Sequence, residues 1–352
     1  MSQYQLKKKV LLVMECWGEG GTETYVNGLL NSLSSDDKIN ISVLFLRQYI
    51  NVDEHLPGAK RIYYSSHSNF LISILKARPD VINLHLYSSL LYAVFMAKIS
   101  GVKCVTTLHM PPCAWGLRHR GYWRLACLMS NCIVGVSGAV IDNLSSNRKR
   151  AIIIPGGVES EFFRVVRNNT KYGDFKIAAV GRLAPEKNWL ILIRGISLLS
   201  KEVRSRVVIN FYGDGPLQDV INEYALKREV NVRFHGYVSK KTLRYELSYT
   251  HLSILPSKFE GLGLSALECM AVGVPTITSD FVASREYILP GVTGHTFPAE
   301  DVESLKVLIN WHIMNPELSE IIGREGKKFV RERYYENFVY RKYIDVFKEF
   351  YN

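Results

Sequence analysis

An α/β chain with two doubly wound parallel-sheet domains is the fold class this sequence predicts, and three observations carry it. Short apolar runs alternate with helical patterns twice over along the 352 residues, as in parallel sheets wound by helices. A polar, basic segment from Phe162 to Phe175, containing Asn168-Asn169 and Gly173, separates the two alternations and reads as a linker. The length suffices for two domains of ordinary size, each with its own core.

Taken in order, the first half predicts strands at Val10–Met14, Ile41–Phe45, Val81–Leu84, Cys104–Leu108, Ile133–Val136 and Ile152–Ile154. Lys7-Lys8-Lys9 before the first run imitates a signal peptide. The apolar run is only five residues long before Glu15, however, so an initial strand is the better reading. The second half predicts strands at Ile177–Val180, Val207–Tyr212, Val232–His235, Leu252–Leu255 and Thr276–Thr278. Beyond Val302 the pattern is helical, and Arg331 to Tyr351 is rich in Tyr, Phe and Lys. The longest later apolar run, Leu90 to Ala97, falls far short of the roughly 20 residues of a membrane span.

Composition is globular, with 47% hydrophobic and 22% charged residues. The six cysteines show no C-x-x-C spacing and read as scattered core thiols of a reducing compartment, not as a disulfide or metal framework. Net charge is +11 and uneven: residues 1–170 hold nineteen Lys and Arg against eleven Asp and Glu, a net of +8. That excess suits an anionic surface. No helix-turn-helix or RNA-binding signature accompanies it, so the expectation is membrane phospholipid or a phosphate-bearing acceptor, and no nucleic acid. Trp115 to Arg124 interleaves aromatic and basic residues, which fits a lipid interface or equally a solvated helix start.

The motifs with chemical content follow strands. Gly18-Glu19-Gly20-Gly21-Thr22-Glu23 lies after the first strand and opens a helix from about Thr24, so its amides suit a phosphate. It is not the dinucleotide G-x-G-x-x-G pattern. His109 ends a strand, where a lone histidine is usually packing, and Ser137 reads first as a helix cap. Arg182 and Lys187, five apart across a loop with Pro185, can reach one anion, although taken alone they read as solvated cations. Gly213-Asp214-Gly215-Pro216 is a turn in which Asp214 caps the next helix. Glu260 precedes, and Glu268 lies within, an apolar helix opened by Gly261-Leu262-Gly263-Leu264. Buried carboxylates need partners, which sugar or ribose hydroxyls can supply, while a diphosphate suits the amides; the pairing reads as a nucleotide-sugar site.

The segment from Glu260 to Glu268 resembles the glutamate-x7-glutamate motif of retaining glycosyltransferases of the GT-B fold, the group 1 / family 4 type found in bacterial polysaccharide and lipopolysaccharide synthesis. Gly-Arg-Leu-Ala-Pro-Glu-Lys from Gly181 to Lys187 and the Gly20-Gly21-Thr22-Glu23 loop resemble that family's motifs in the same order, so the likeness runs from Gly20 to about Phe297. Departures are mild: Gly156 and Glu159 stand where the family usually has Asn and Asp, Leu262 for Phe, and Cys269 for Ala.

The resemblance implies two Rossmann-like domains facing across a cleft: residues 1–165 for the acceptor, 170–330 for the nucleotide sugar, and 331–352 as a terminal helix crossing back to the first. It implies catalytic roles for Glu260, His109, Arg182 and Lys187. Donor binding would fall to Gly20, Gly21, Arg182, Lys187, Gly213, Glu260, Gly261, Leu262, Gly263, Leu264 and Glu268. No cofactor and no metal is expected, since there is no D-x-D motif and no metal-ligand cluster. The implied donor is a nucleotide diphosphate sugar, most often a UDP-sugar, and the acceptor a saccharide or lipid-linked saccharide, at the inner face of the cell membrane. A soluble enzyme making a small glycoside, a sugar epimerase, or a non-catalytic nucleotide- or glycan-binding relative remains open on the residues alone.

Overall fold

The computed structural model describes residues 7–18, 20–34, 36, 38–47, 56, 58–111, 114, 116–142, 144, 150–168 and 173–350. Two compact units emerge, Met1–Gly157 with Glu336–Asn352, and Val158–Tyr335. The division therefore falls at Gly157, ahead of the boundary at 165 expected from sequence. Phe162, expected at the start of a linker, is instead a buried core residue of the second unit. Cys113, Trp115, Glu19 and Asn169, which figure in the sequence expectations, lie outside the described residues.

The first unit is a seven-stranded sheet in the order β3-β2-β1-β4-β5-β6-β7, with every pairing parallel. Its strands are β1 Lys8–Met14, β2 Ile39–Phe45, β3 Arg61–Tyr64, β4 Val81–His85, β5 Lys103–Leu108, β6 Cys132–Gly135 and β7 Ala151–Ile153. Val10 to Met14 and Val81 to Leu84 are buried, as strands covered on both faces must be. The second unit is a six-stranded parallel sheet in the order β10-β9-β8-β11-β12-β13. Its strands are β8 Phe175–Val180, β9 Val207–Tyr212, β10 Asn231–Phe234, β11 Leu252–Leu255, β12 Thr276–Ser279 and β13 His295–Phe297. The sequence reading lacked β3 and β13. Both are edge strands, short and only partly covered, so neither presents an apolar run.

Each sheet reverses the direction of strand addition once, between β1 and β4 and between β8 and β11. The loops leaving those strands diverge at their carboxyl ends and open the crevice where ligands bind in open α/β sheets. The chemistry below sits at these two points.

The last residues belong to the first unit, and aromatic side chains hold them there. They form two short helices, Glu336–Val339 and Lys342–Lys348, with Tyr340, Tyr343 and Phe347 buried. The Tyr343 hydroxyl lies 3.0 Å from that of Tyr25 and 2.8 Å from Thr107 Oγ1. The Tyr340 hydroxyl accepts from the Gly157 amide at 3.0 Å. Gly28 lets the Tyr340 ring in, since a Cβ there would lie 2.6 Å from the ring. The described cysteines are free thiols; burial pushes Cys132 up to about 11 and Cys127 and Cys269 up to about 12. Among the described residues, no helix is long and apolar enough to cross a membrane.

A histidine chain ties three elements of the second unit. His295 on β13 lies 3.1 Å from His312 of the helix Val302–Met314, whose other nitrogen lies 2.7 Å from Ser319 of the helix Pro316–Arg333. Burial lowers His312 from its ordinary 6.5 to about 3, so it is neutral in the folded unit and charges on unfolding in acid. Because the folded value lies below the unfolded one, stability is full above about pH 6.5 and is lost as pH falls toward about 3. We expect this group to remove about 1.4 kcal/mol per pH unit in that window. Urea unfolding of wild type and His312→Gln across the acid range tests this; equal slopes would exclude it.

Candidate active site

In the second unit, the reversal between β8 and β11 brings together residues far apart in sequence. β8 runs into Gly181 and Arg182, then a 3-10 turn over Pro185–Lys187, and Asn188 in a left-handed conformation starts the helix Trp189–Ser197. Lys187 thereby folds back beside Gly181 and meets the loop after β11, where its Nζ lies 2.5 Å from Glu260 Oε1. Ser257 Oγ donates to the same oxygen at 2.6 Å. Both partners of the pair are largely buried, at 16% and 13% side-chain exposure, so this is no surface salt bridge. Arg182 differs: it is mostly exposed and pairs with Glu186 at 2.5 Å, four residues on. Arg182 is thus solvent-facing and Lys187 largely covered.

Glycines let the neighbouring loops close on this pair. At Gly213, after β9, φ is +140°, and a Cβ would lie 2.4 Å from the Gly181 carbonyl oxygen and 3.5 Å from the Arg182 amide. The Gly213 amide donates to the Gly236 carbonyl at 2.8 Å. Asp214, expected as a helix cap, instead accepts from the Tyr237 amide at 2.8 Å. The next helix begins only at Gln218, with Leu217 before it, so Asp214 joins two loops. Gly213, Arg182, Lys187 and Glu260 are therefore contiguous.

The helix Leu264–Val272 follows from Gly261 and Leu262 through Gly263, whose φ of 87° suits glycine. A Cβ on Gly263 would lie 2.5 Å from the Tyr287 hydroxyl. That hydroxyl is buried without a hydrogen-bond partner, and burial together with the nearby Glu260 raises its pKa. Glu268, only 4% exposed, pairs with Lys240 at the start of the helix Lys240–Ser248. Glu159 completes the group, 3.3 Å from Arg244 and close enough to Lys240 and Glu268 to sense both. Burial raises the Glu159 pKa, with Lys240 pulling against it. Phe162 lies under both Lys240 and Arg244. Glu159, read from sequence only as a mild departure from the family pattern, therefore belongs to the charged cluster.

In the first unit, the reversal between β1 and β4 gathers a different set. The helix Gly21–Ser34 starts at Gly21 itself, three residues before the expected Thr24, and the Thr24 amide bonds the Gly20 carbonyl at 3.1 Å. Thr22 Oγ1 lies 2.6 Å from the Tyr87 hydroxyl, after β4. Glu15 accepts from Ser88 Oγ at 2.7 Å and from the Ser89 amide at 2.8 Å. Burial pushes the Glu15 pKa up, but these bonds outweigh it and hold it below the usual carboxylate value.

His109, expected as a lone histidine, is one of a pair, with its Nε2 2.9 Å from His85 Nδ1 and Tyr25 edge-on at 5.0 Å. Burial lowers His109 to about 3 and His85 well below 6.5, so both rings are neutral near pH 7. His85 Nε2 is buried without a partner, and an orphaned N–H is rarer than an orphaned acceptor. That assigns the proton of His85 to Nδ1, which donates to His109 Nε2, and leaves His109 with an Nδ1–H donor. Ser137, expected as a cap, makes no side-chain bond to the helix Gly138–Ile141.

Glycine-lined helix starts and a buried cation–carboxylate pair at the carboxyl ends of parallel strands are features that suit an anionic, hydroxyl-bearing ligand. Residues 162–329 match the family model of glycosyl transferases group 1, and residues 19–162 that of glycosyltransferase family 4. Together they place the chain in the GT-B glycosyltransferase superfamily. A glycogen synthase of Mycobacterium tuberculosis is 23% identical over 71% of this chain, which spans 64% of that protein's length. An uncharacterized 41.2 kDa protein of the cps region of Klebsiella pneumoniae is 22% identical over 94% of this chain and 97% of its own. Among solved structures, Anabaena Alr3699/HepE in complex with UDP and glucose superposes with a TM-score of 0.84 at 15% identity, over 97% of this chain and 100% of that one.

Sequence reasoning missed Lys240, His85 and Tyr287, whose surroundings depend on contacts across strands that carry no local motif, and Ser257, which bonds Glu260 three residues on. Two substitutions test the geometry. Lys240→Met leaves the Glu268 carboxylate buried without its cation and is expected to cost about 1–3 kcal/mol. Adding Glu268→Gln should restore most of that loss, and calorimetric unfolding of the single and double variants reads the coupling. Gly213→Ala forces a Cβ onto the Gly181 backbone and is expected to cost about 1 kcal/mol or more. An unchanged melting temperature in that variant would contradict the loop contact.

Proposed function

We propose that the chain is a retaining, metal-independent glycosyltransferase that moves a sugar from a UDP-sugar to a saccharide or lipid-linked acceptor in cell-surface polysaccharide or lipopolysaccharide synthesis. The single observation that carries this reading is the buried Lys187–Glu260 pair beside the glycine-lined start of the helix Leu264–Val272. A cation and a carboxylate held together there match the two faces of a nucleotide sugar, a diphosphate and a hydroxyl-bearing ring.

In this reading Glu268 takes the ribose hydroxyls and Glu260 those of the donor sugar. Lys187 and Arg182 stabilise the departing diphosphate, as fixed charges do most where charge develops in the transition state. The bond from the anomeric carbon to the diphosphate oxygen breaks while the acceptor oxygen bonds the same face. Its proton passes to the leaving phosphate oxygen, so configuration is retained without an enzyme nucleophile. In the first unit, the amides of Gly20 and Gly21 are assigned to phosphate, and the Nδ1–H of His109 to a substrate oxygen. Its depressed pKa suits it to donate one hydrogen bond as a neutral ring, not as a cation. The HepE complex makes UDP the first nucleotide to test, and the basic first half supports an acceptor at an anionic membrane surface.

Calorimetric titration with UDP, GDP and ADP in the presence of EDTA tests the donor assignment. Saturable binding of UDP without metal is expected, and binding of none of the three would refute it. Glu268→Ala should abolish most UDP affinity while leaving the fold intact. Lys187→Ala should lower kcat more than it raises KM, because its charge matters most as the diphosphate leaves. A pure KM effect would reassign Lys187 to ground-state binding.

A further inference from the structure

The hydroxyl of Tyr287 is buried beside the second unit's charged site and bonds nothing there. Tyr287 follows the 3-10 turn Val282–Glu286, after β12, and is fully buried. Its backbone is fixed on both sides: the amide donates to the Ser284 carbonyl at 3.1 Å, and the carbonyl accepts from Thr293 Oγ1 at 2.8 Å. The ring stands edge-on to Tyr334, with centroids 6.3 Å apart. So held, the hydroxyl reaches the loop ahead of the helix Leu264–Val272, where with Phe281 and Leu255 it lines the space that a Cβ on Gly263 would take. It lies near enough to Glu260 to feel that charge, yet among the described residues it has no hydrogen-bond partner. A buried hydroxyl without a partner costs free energy that a phenyl ring of the same shape would not. Packing alone therefore does not explain a tyrosine here.

The reason lies in the neighbouring carboxylate. Glu260 accepts from Lys187 and from Ser257 on the same oxygen, Oε1, and Lys187 is the cation of that set. A diphosphate arriving at this edge competes for the same ammonium. Once Lys187 turns to phosphate, a largely covered carboxylate loses its cation, which is costly unless another donor takes over. We propose that Tyr287 is a positioning residue whose hydroxyl is that donor: unbonded in the free protein, it bonds Glu260 when a diphosphate draws Lys187 away. An O–H gives a carboxylate a short, strong bond and, being neutral, leaves Lys187 as the cation for the phosphate. Tyr287 acts through Glu260 and touches no substrate. The inference rests on the nucleotide-sugar reading of this site and deepens it, by naming what holds Glu260 once its cation is engaged.

Thermal unfolding tests the exchange without any ligand. Tyr287→Phe alone should leave the melting temperature unchanged or raise it, because it removes an unpaired hydroxyl. In Lys187→Met, where the cation is already gone, adding Tyr287→Phe should lower the melting temperature by about 2 °C or more. Calorimetric titration with UDP reads the same exchange with a diphosphate present: Tyr287→Phe should weaken UDP binding about tenfold, the scale of one hydrogen bond to a charged group. A melting temperature lowered by Tyr287→Phe in the wild-type background would make the hydroxyl a structural group and overturn the proposal. Equal UDP affinity in wild type and Tyr287→Phe would overturn it as well, while leaving the nucleotide site standing. Failure of the wild type to bind UDP would refute the donor assignment. The Lys187→Met series would then decide this inference separately, and equal melting temperatures with and without the hydroxyl in that background would overturn it. Where Lys187→Met does not fold, the UDP comparison of wild type and Tyr287→Phe is decisive.

Discussion

A carboxylate taken out of water needs a partner, and the loops and helices that follow the second unit's strands are organised by that requirement. Glu268 lies inside an otherwise apolar helix and Glu260 just before it, both largely covered. Their cations come from other strands' loops: Lys187 after β8 and Lys240 after β10. Each pair therefore ties together segments that follow different strands of the sheet. The glycines at 181 and 213 are the steric counterpart, since those loops can approach only where no side chain stands between them. Removing one partner is worse than never having had the pair, because the charge that remains is stranded.

The first unit meets burial with the opposite sign. Its reversal point carries two histidines, and burial drives both to neutrality, so one hydrogen bond joins the rings and no counter-ion is needed. One topology, a parallel sheet that reverses once, thus presents ionic chemistry in one unit and neutral hydrogen-bonding chemistry in the other. Tyr25 connects the histidines to the returning C-terminal segment, touching His109 with its ring and lying 3.0 Å from the Tyr343 hydroxyl. The terminal aromatics are thereby part of the packing that holds the histidine pair dry.

Of the eleven strands read from sequence, nine have apolar stretches that burial enforces, whereas the edge strands β7 and β10 are largely uncovered. β3 and β13 escaped because an edge strand of three or four residues needs no such run. Lys187 and Glu260 stood out because each lies in a contiguous motif, but their pairing did not, being set by strand order across 73 positions. Lys240, His85 and Tyr287 were illegible for the same reason. A lysine at a helix start, a histidine ending a strand and a tyrosine near a 3-10 turn acquire meaning only from what folds against them. Asp214 shows the reverse error: local sequence favours a cap, and a loop 23 residues further along never enters the choice until the Tyr237 amide donates to its carboxylate.

Charge asymmetry along the chain follows from the same physics. Of the net +11, residues 1–170 carry +8. In the second unit the site's cations face carboxylates of the same unit: Lys187 with Glu260, Lys240 with Glu268, Arg182 with Glu186, and Arg244 with Glu159. A ligand entering there exchanges partners with groups already paired, so its affinity is a difference between two sets of contacts. The helices Leu90–Ile99 and Leu117–Met129 of the first unit contain Lys and Arg and no Asp or Glu of their own. Their field extends outward over roughly a Debye length, about 8 Å at physiological salt, and attracts an anionic group before any apolar contact forms.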